Sequence, residues 1–297
     1  MAIRLNPNLI PDLLNSIQQS RQNLDIADQQ LSTGLKVNQL SDNPTAAAAF
    51  VGNRNESSQD DQFLQNIGTL QSRFQTADST LSNVVTLLTR AISIGTEGAN
   101  GTLSASDRQA IAGEVQGLTS QLLGLANTSS QGVYLFAGTA VGTQPFSLNT
   151  ATNTVTYNGN TNVTSVQLSN GTFINGNLPG SQLFQNSSGN AFTALQDLNT
   201  ALTSGNNIGA AVQEVSNALN QVSTQRVFYG NALNQINLSQ NFLNQDKLNL
   251  SSQENTLVGA DLATAASNFA QSQTAYQAAL QTTSRTLSLP TILDFLK

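Results

Sequence analysis

The chain is 297 residues long, with 9% charged residues, 5% aromatic residues and a formal net charge of −6. Neither Cys nor His occurs, which excludes disulfides, the usual thiolate and imidazole metal sites, and any catalytic triad built on an imidazole. No basic run marks a nucleic-acid footprint, and the longest apolar runs, such as Ala46 to Val51, are too short for membrane insertion.

Met1 to Asn15 holds a single Arg and no apolar run closed by small residues, so a cleaved signal peptide is not expected. The first long helix is predicted from Pro11 to Val37. Ile10, Leu13, Ile17, Leu24, Ala27 and Leu31 are spaced by threes, fours and their sum, which makes a narrow apolar stripe of the coiled-coil kind. Ser20 interrupts the stripe and Gly34 loosens its end. Ser41-Asp42-Asn43-Pro44 then breaks the chain, with Asn43 suited to cap a new helix and Pro44 to begin it.

That second helix is predicted to reach Ile94. Phe63, Ile67, Leu70, Phe74, Ala77, Leu81, Val84, Leu88 and Ala91 keep one heptad register without a miss. Gly95 to Gly101 is read as its stop. A shorter helix follows from Ser106 to Asn127, with Ser104 and Asp107 spaced as a capping box. From Gly132 to Ser188 short β-prone runs replace the helical period, with Asn158-Gly159 and Asn170-Gly171 as hairpin turn signals.

Helix returns from Ala191 to Leu202 and again from Ile208. Val212, Val215, Leu219, Val222, Tyr229, Leu233, Ile236, Leu243 and Leu250 share a register that Arg226, Gln240 and Lys247 break. The register fails between Glu254 and Gly259. A last stripe, Leu262, Ala265, Phe269, Tyr276 and Ala279, runs on a helix to about Leu287, before Pro290 and an apolar tail.

The expected fold is mainly α: a long coiled-coil-like helical rod from paired N- and C-terminal segments, with a small inserted β subdomain. Its parts are an N-terminal helix (1–40), the first half of the rod (41–131), the β-rich insert (132–190), the second half (191–256) and a C-terminal helix (257–297). A helix with so thin a stripe is marginal alone, so the two terminal stripes need partners, either the chain's own core as an ordinary helical hairpin or neighbouring subunits. Arg21, Asp25 and Asp28 on the first helix suggest a solvated local pair. Asp60, Asp61, Asp107 and Glu114 are scattered, with nothing pairing them as acid and base.

Leu31-Ser32-Thr33-Gly34-Leu35-Lys36-Val37-Asn38 resembles the N-terminal signature of bacterial flagellins and their junction relatives. Ser41, Asp42 and Pro44, with Ala46-Ala47, resemble the junction branch of that family, and Asn43 stands where the branch often has Asp. Gly132-Val133-Tyr134-Leu135-Phe136-Ala137-Gly138-Thr139 is similar to a segment of the same branch, centred on Tyr134, Phe136 and Gly138. Asp261-Leu262-Ala263 and Gln273 to Leu280 resemble the shared C-terminal helix.

The resemblance implies an extracellular structural subunit that leaves the cell unfolded through the flagellar type III apparatus and uses no cofactor. Its implied partners are further copies of itself, hook-associated protein 1, flagellin and an export chaperone. The terminal helices would form an inner layer and the β insert would face solvent. Flagellin itself, or a secreted binding module working through the insert, are the rival readings. An enzyme is not expected.

Overall fold

The computed structural model describes Leu9 to Leu287. Three helices come first: α1 (Leu9–Thr33), α2 (Pro44–Gly98) and α3 (Ala105–Ala126). Antiparallel two-stranded ladders follow: β1 (Ser129–Ser130) with β2 (Val133–Tyr134), β3 (Phe146–Asn149) with β4 (Thr154–Tyr157), and β5 (Ser165–Ser169) with β6 (Thr172–Asn175). The single-turn α4 (Gly180–Phe184) leads to the ladder of β7 (Gln185–Asn186) with β8 (Gly189–Asn190). The chain ends in α5 (Ala191–Ser204), α6 (Ile208–Val258) and α7 (Leu262–Leu287). Pro290 and the apolar tail lie outside the described residues.

Local chemistry explains most of these boundaries. Gly34 ends α1 at φ 71°, a left-handed turn that a side chain would resist. The Asn43 carboxamide accepts from the Ala46 N–H at 3.0 Å and caps α2. Ser104 and Asp107 form the expected capping box of α3. Two expected boundaries are corrected: α1 ends at Thr33, not Val37, because Gly34 turns left-handed, and α2 does not stop at Gly95 but runs to Gly98. Those glycines serve packing, since a Cβ on Gly95 would lie 2.5 Å from Val212 and one on Gly98 would strike Leu202.

The chain forms two compact units, Asp60–Asn244 and Met1–Gln59 with Gln245–Lys297. In the first, α2 and α6 run antiparallel. Gln71 bonds Asn237 at 3.1 Å, the Phe74 and Tyr229 rings meet edge to face at 5.3 Å, and Asp78 pairs with Arg226. Ile67, Leu81, Val84 and Leu88 on α2 and Val215, Val222 and Ile236 on α6 are fully buried. Each such residue contributes roughly 1.5–3 kcal/mol relative to an exposed position. Val115 and Leu122 of α3 and Leu195 and Leu198 of α5 join the same core.

Arg226, read as a break in the α6 register, has its partner across the interface. Its Nε lies 2.7 Å and its terminal nitrogen 3.1 Å from the two Asp78 oxygens. Hydrogen bonding to that carboxylate raises the guanidinium above its ordinary value.

The β-rich segment shares this core. Phe136, Phe146 and Phe184 are fully buried, the Phe184 ring lying at 85° to each of the other two, and Phe146 also meets Phe192 of α5. Leu168, Ile174, Leu178 and Leu183 are buried beside them. Asn170-Gly171 does turn β5 into β6. Asn158-Gly159 does not turn a hairpin: the β3–β4 turn is made at Asn149, whose carboxamide accepts from Ala151 and Thr152 at 3.0 and 3.3 Å. Asn158 follows β4 and donates its N–H to the Pro145 carbonyl at 2.8 Å. Strand β3 was not expected. Of its side chains only Phe146 is buried, so it lacks the alternation that marks a strand.

Candidate assembly interface

In the unit that holds both chain ends, α1 packs against α7. The pair is antiparallel, because the end of α1 is bonded to the start of α7. Gly34 accepts from the Ala260 N–H at 2.8 Å, the Lys36 N–H donates to the Val258 carbonyl at 2.7 Å, and Leu35 bridges Gly259. The Lys36 ammonium reaches the Thr256 carbonyl at 2.9 Å, placing a cation at the carbonyl end of α6.

The residues resembling a family signature build this elbow. The Asp42 carboxylate accepts from the Asn38 and Gln39 N–H groups at 3.0 and 2.9 Å. The Asn38 carboxamide donates to Leu35 O at 2.9 Å and accepts from the Thr33 hydroxyl at 2.8 Å. Pro44 opens α2, Ala46 and Ala47 are buried behind it, and Ser41 is exposed in the turn. On the opposite strand of the elbow, Asp261 caps α7 by accepting from the Ala263 and Thr264 N–H groups and the Thr264 hydroxyl. The Thr264 hydrogen bonds hold its carboxyl below the usual value of 3.8.

Along the pair, the less exposed α1 positions are Leu13, Ile17, Ser20, Leu24, Ala27 and Gln30. On α7 they are Ala265, Phe269, Ser272, Tyr276, Ala279 and Thr283. The spacing of three and four shows that these rows face each other. Only Ala27 and Ala265 are buried, and Leu31 (38% exposed) and Leu262 (55%) stay in solvent. Ile10 sits in the first turn of α1 and its side chain lies outside the described residues.

Apolar side chains that the stripes do not include are also left uncovered: Leu14 and Ile26, each 53% exposed, and Leu280. They flank the seam, and the only sequence signal for them was a second apolar residue beside a stripe position. A shallow groove between the helices is lined by Ser20, Asn23, Ile26, Gln30, Gln271 and Ser272. Its neutral amides and hydroxyls can hydrogen-bond a neighbour without desolvating a charge. Arg21, Asp25 and Asp28 are exposed and form no ion pair with one another.

The sequence model of the bacterial flagellin N-terminal helical region matches residues 9–141, and that of the C-terminal helical region matches residues 212–296. The chain belongs to the flagellin family. Flagellar hook-associated protein 3 of Salmonella typhimurium is 29% identical over 281 residues, covering 86% of this chain and 87% of the relative. Flagellin B of Vibrio anguillarum is 34% identical over 106 residues, covering 35% of this chain and 28% of the relative. A solved structure of the flagellar junction protein FlgL of Legionella pneumophila matches with a TM-score of 0.61 at 17% identity, over 71% of this chain and 100% of that one. That last likeness establishes the fold.

This flagellin-family chain is therefore a structural subunit of the bacterial flagellum. Its third signature segment has a packing reason. Phe136 is core, the Tyr134 N–H donates to Val141 O at 2.9 Å, and Gly138 adopts φ 70° with the Asn160 carbonyl where a Cβ would project. Two of the scattered acids find structural roles: Asp107 in the α3 cap and Glu114 bonded to Arg90 at 2.7 Å. Among the described residues no cluster of three or more carboxylates could hold a metal ion, and no helix is long and apolar enough to cross a membrane.

Proposed function

We propose that this chain is the subunit joining the flagellar hook to the filament, a non-catalytic building block that assembles through α1 and α7 after type III export. The observation that carries the assembly reading is the half-covered α1–α7 seam, with Leu14, Ile26, Leu31, Leu262 and Leu280 exposed around it. Two helices cannot cover their own apolar surface, and packing against neighbouring copies removes it from water.

What supports the junction position over the filament is the extent of likeness. The hook-associated relative is matched along 86% of this chain, the flagellin along 35%. The partners in this reading are further copies of the chain, hook-associated protein 1 on the hook side, flagellin on the other, and an export chaperone holding the C-terminal helix before secretion. A strain lacking the chain should build hooks but release flagellin into the medium. Full-length filaments in that strain would overturn the junction reading.

A further inference from the structure

Arg73 has no use in the assembly described so far. It is half-buried on α2, its Nε is sealed from solvent without a hydrogen-bond partner, and it forms no ion pair among the described residues. Arg54, Arg90 and Arg226 each have a carboxylate partner, Glu254, Glu114 and Asp78. A buried N–H with no acceptor costs free energy that a supplied acceptor recovers.

Arg73 lines a narrow cleft between α2, Tyr229 of α6, the segment from Val133 to Val141, and Gly176-Asn177. Its volume is 40 Å³, room for about three waters or one carboxylate and too little for a sugar or nucleotide. The half-buried Tyr134 lines the same cleft, and its hydroxyl has no hydrogen-bond partner among the described residues. No carboxylate lines it. Asn177 is already committed, accepting from the Thr164 N–H at 2.7 Å and donating to Asn162 O at 3.0 Å. The cleft thus brings an arginine and a tyrosine together, a combination that fits a carboxylate.

We propose that Arg73 and Tyr134 form a receptor for a carboxylate presented by a neighbouring copy of this chain. The chain carries 17 acidic against 11 basic residues, and Asp25, Asp28 and Glu56 are exposed without a basic partner among the described residues. A copy therefore brings spare carboxylates to any neighbour it meets. The inference rests on the reading that copies pack side by side, and it assigns one contact of that packing.

The test places the photoreactive residue p-benzoylphenylalanine at Val141, the 41% exposed residue on the rim of the cleft, in motile cells and maps the adducts by mass spectrometry. An adduct between two copies, beside an Asp or Glu, is expected. Arg73→Gln should lower its yield at least fivefold without moving the urea midpoint of the purified chain, and Arg73→Lys should not restore it. No copy-to-copy adduct in flagellated cells, or a yield indifferent to Arg73→Gln, overturns the proposal.

A second arm follows the Arg73 Nε–H resonance of the purified chain during titration with sodium acetate and sodium phosphate. A saturable shift without any adduct between copies identifies a free oxyanion as the ligand and overturns the neighbouring-copy source. The junction reading fails separately, if the strain lacking the chain builds full filaments. Loss of the adduct alone leaves that reading standing.

Discussion

Leu81, Val84 and Leu88 on α2 have no solvent exposure, whereas Leu24 on α1 and Phe269 on α7 occupy the same kind of heptad seam and stay half-buried. The sequence pattern is alike in both places. What differs is the number of neighbours. The α2 face is shared by α3, α5, α6 and the strands, while the α1 and α7 rows line one seam between two helices. Depth of burial is thus decided by the surrounding fold rather than by the stripe, and a shallow seam leaves apolar surface in water.

Side-chain truncation is the strongest way to break that contrast. Phe74→Ala should cost about 3–5 kcal/mol in urea unfolding. Phe269→Ala in the purified chain should cost under about 1 kcal/mol, because its ring is still partly hydrated. Equal losses at the two positions would mean that the terminal pair is as well packed as the core. Next in size is Gly138→Ala, which should destabilise by about 1–3 kcal/mol through its left-handed backbone and the Asn160 carbonyl in the path of the methyl group.

The Asp78–Arg226 pair is 30% and 36% exposed. Asp78→Ala should therefore cost only about 0.5–1 kcal/mol after solvent screening, with the loss shrinking in salt. Ile26→Asp should change monomer stability by less than about 0.5 kcal/mol yet abolish incorporation into the organelle, read by labelling the chain on isolated flagella. Normal incorporation would remove the uncovered face from the assembly argument.

The smallest effect concerns pH. The Asp261 carboxyl is held below 3.8 in the folded chain by Thr264 and Ala263. Its contribution is therefore present above that value and lost as pH falls through the folded one. The protection factors of the Ala263 and Thr264 amides should fall on acidification, and Asp261→Asn, which caps without titrating, should remove the pH step.

Much of this fold could be read in advance. The register from Phe63 to Ala91, the Asn43 and Ser104 caps and the span of α7 all follow from local rules that do not need distant partners. Where reading fell short, a distant partner decided the outcome. Gly95 and Gly98 look like helix stops but serve close packing on Val212 and Leu202. Arg226 looks like a flaw in its stripe until Asp78 arrives from 148 residues away. Phe146 is held by Asn127, whose carboxamide bonds its N–H and its carbonyl, both at 2.9 Å, and nothing near Phe146 announces a strand.

The candidate interface was legible as a stripe but not as a surface. Ala27 and Ala265 reach burial because small residues let the helices approach, whereas Leu14, Ile26 and Leu280 escaped notice for lying one row aside.

The stitch between Gly34 and Ala260, and the Lys36–Thr256 bond across 220 positions, tie the first helix to the last. Loop closure over such a distance requires the chain through Ala260, and the α1–α7 packing that follows requires α7 as well. A product cut short after α6 would leave α1 single, and one helix with so thin a stripe does not hold in water. Order in the first helix thus depends on the presence of the last.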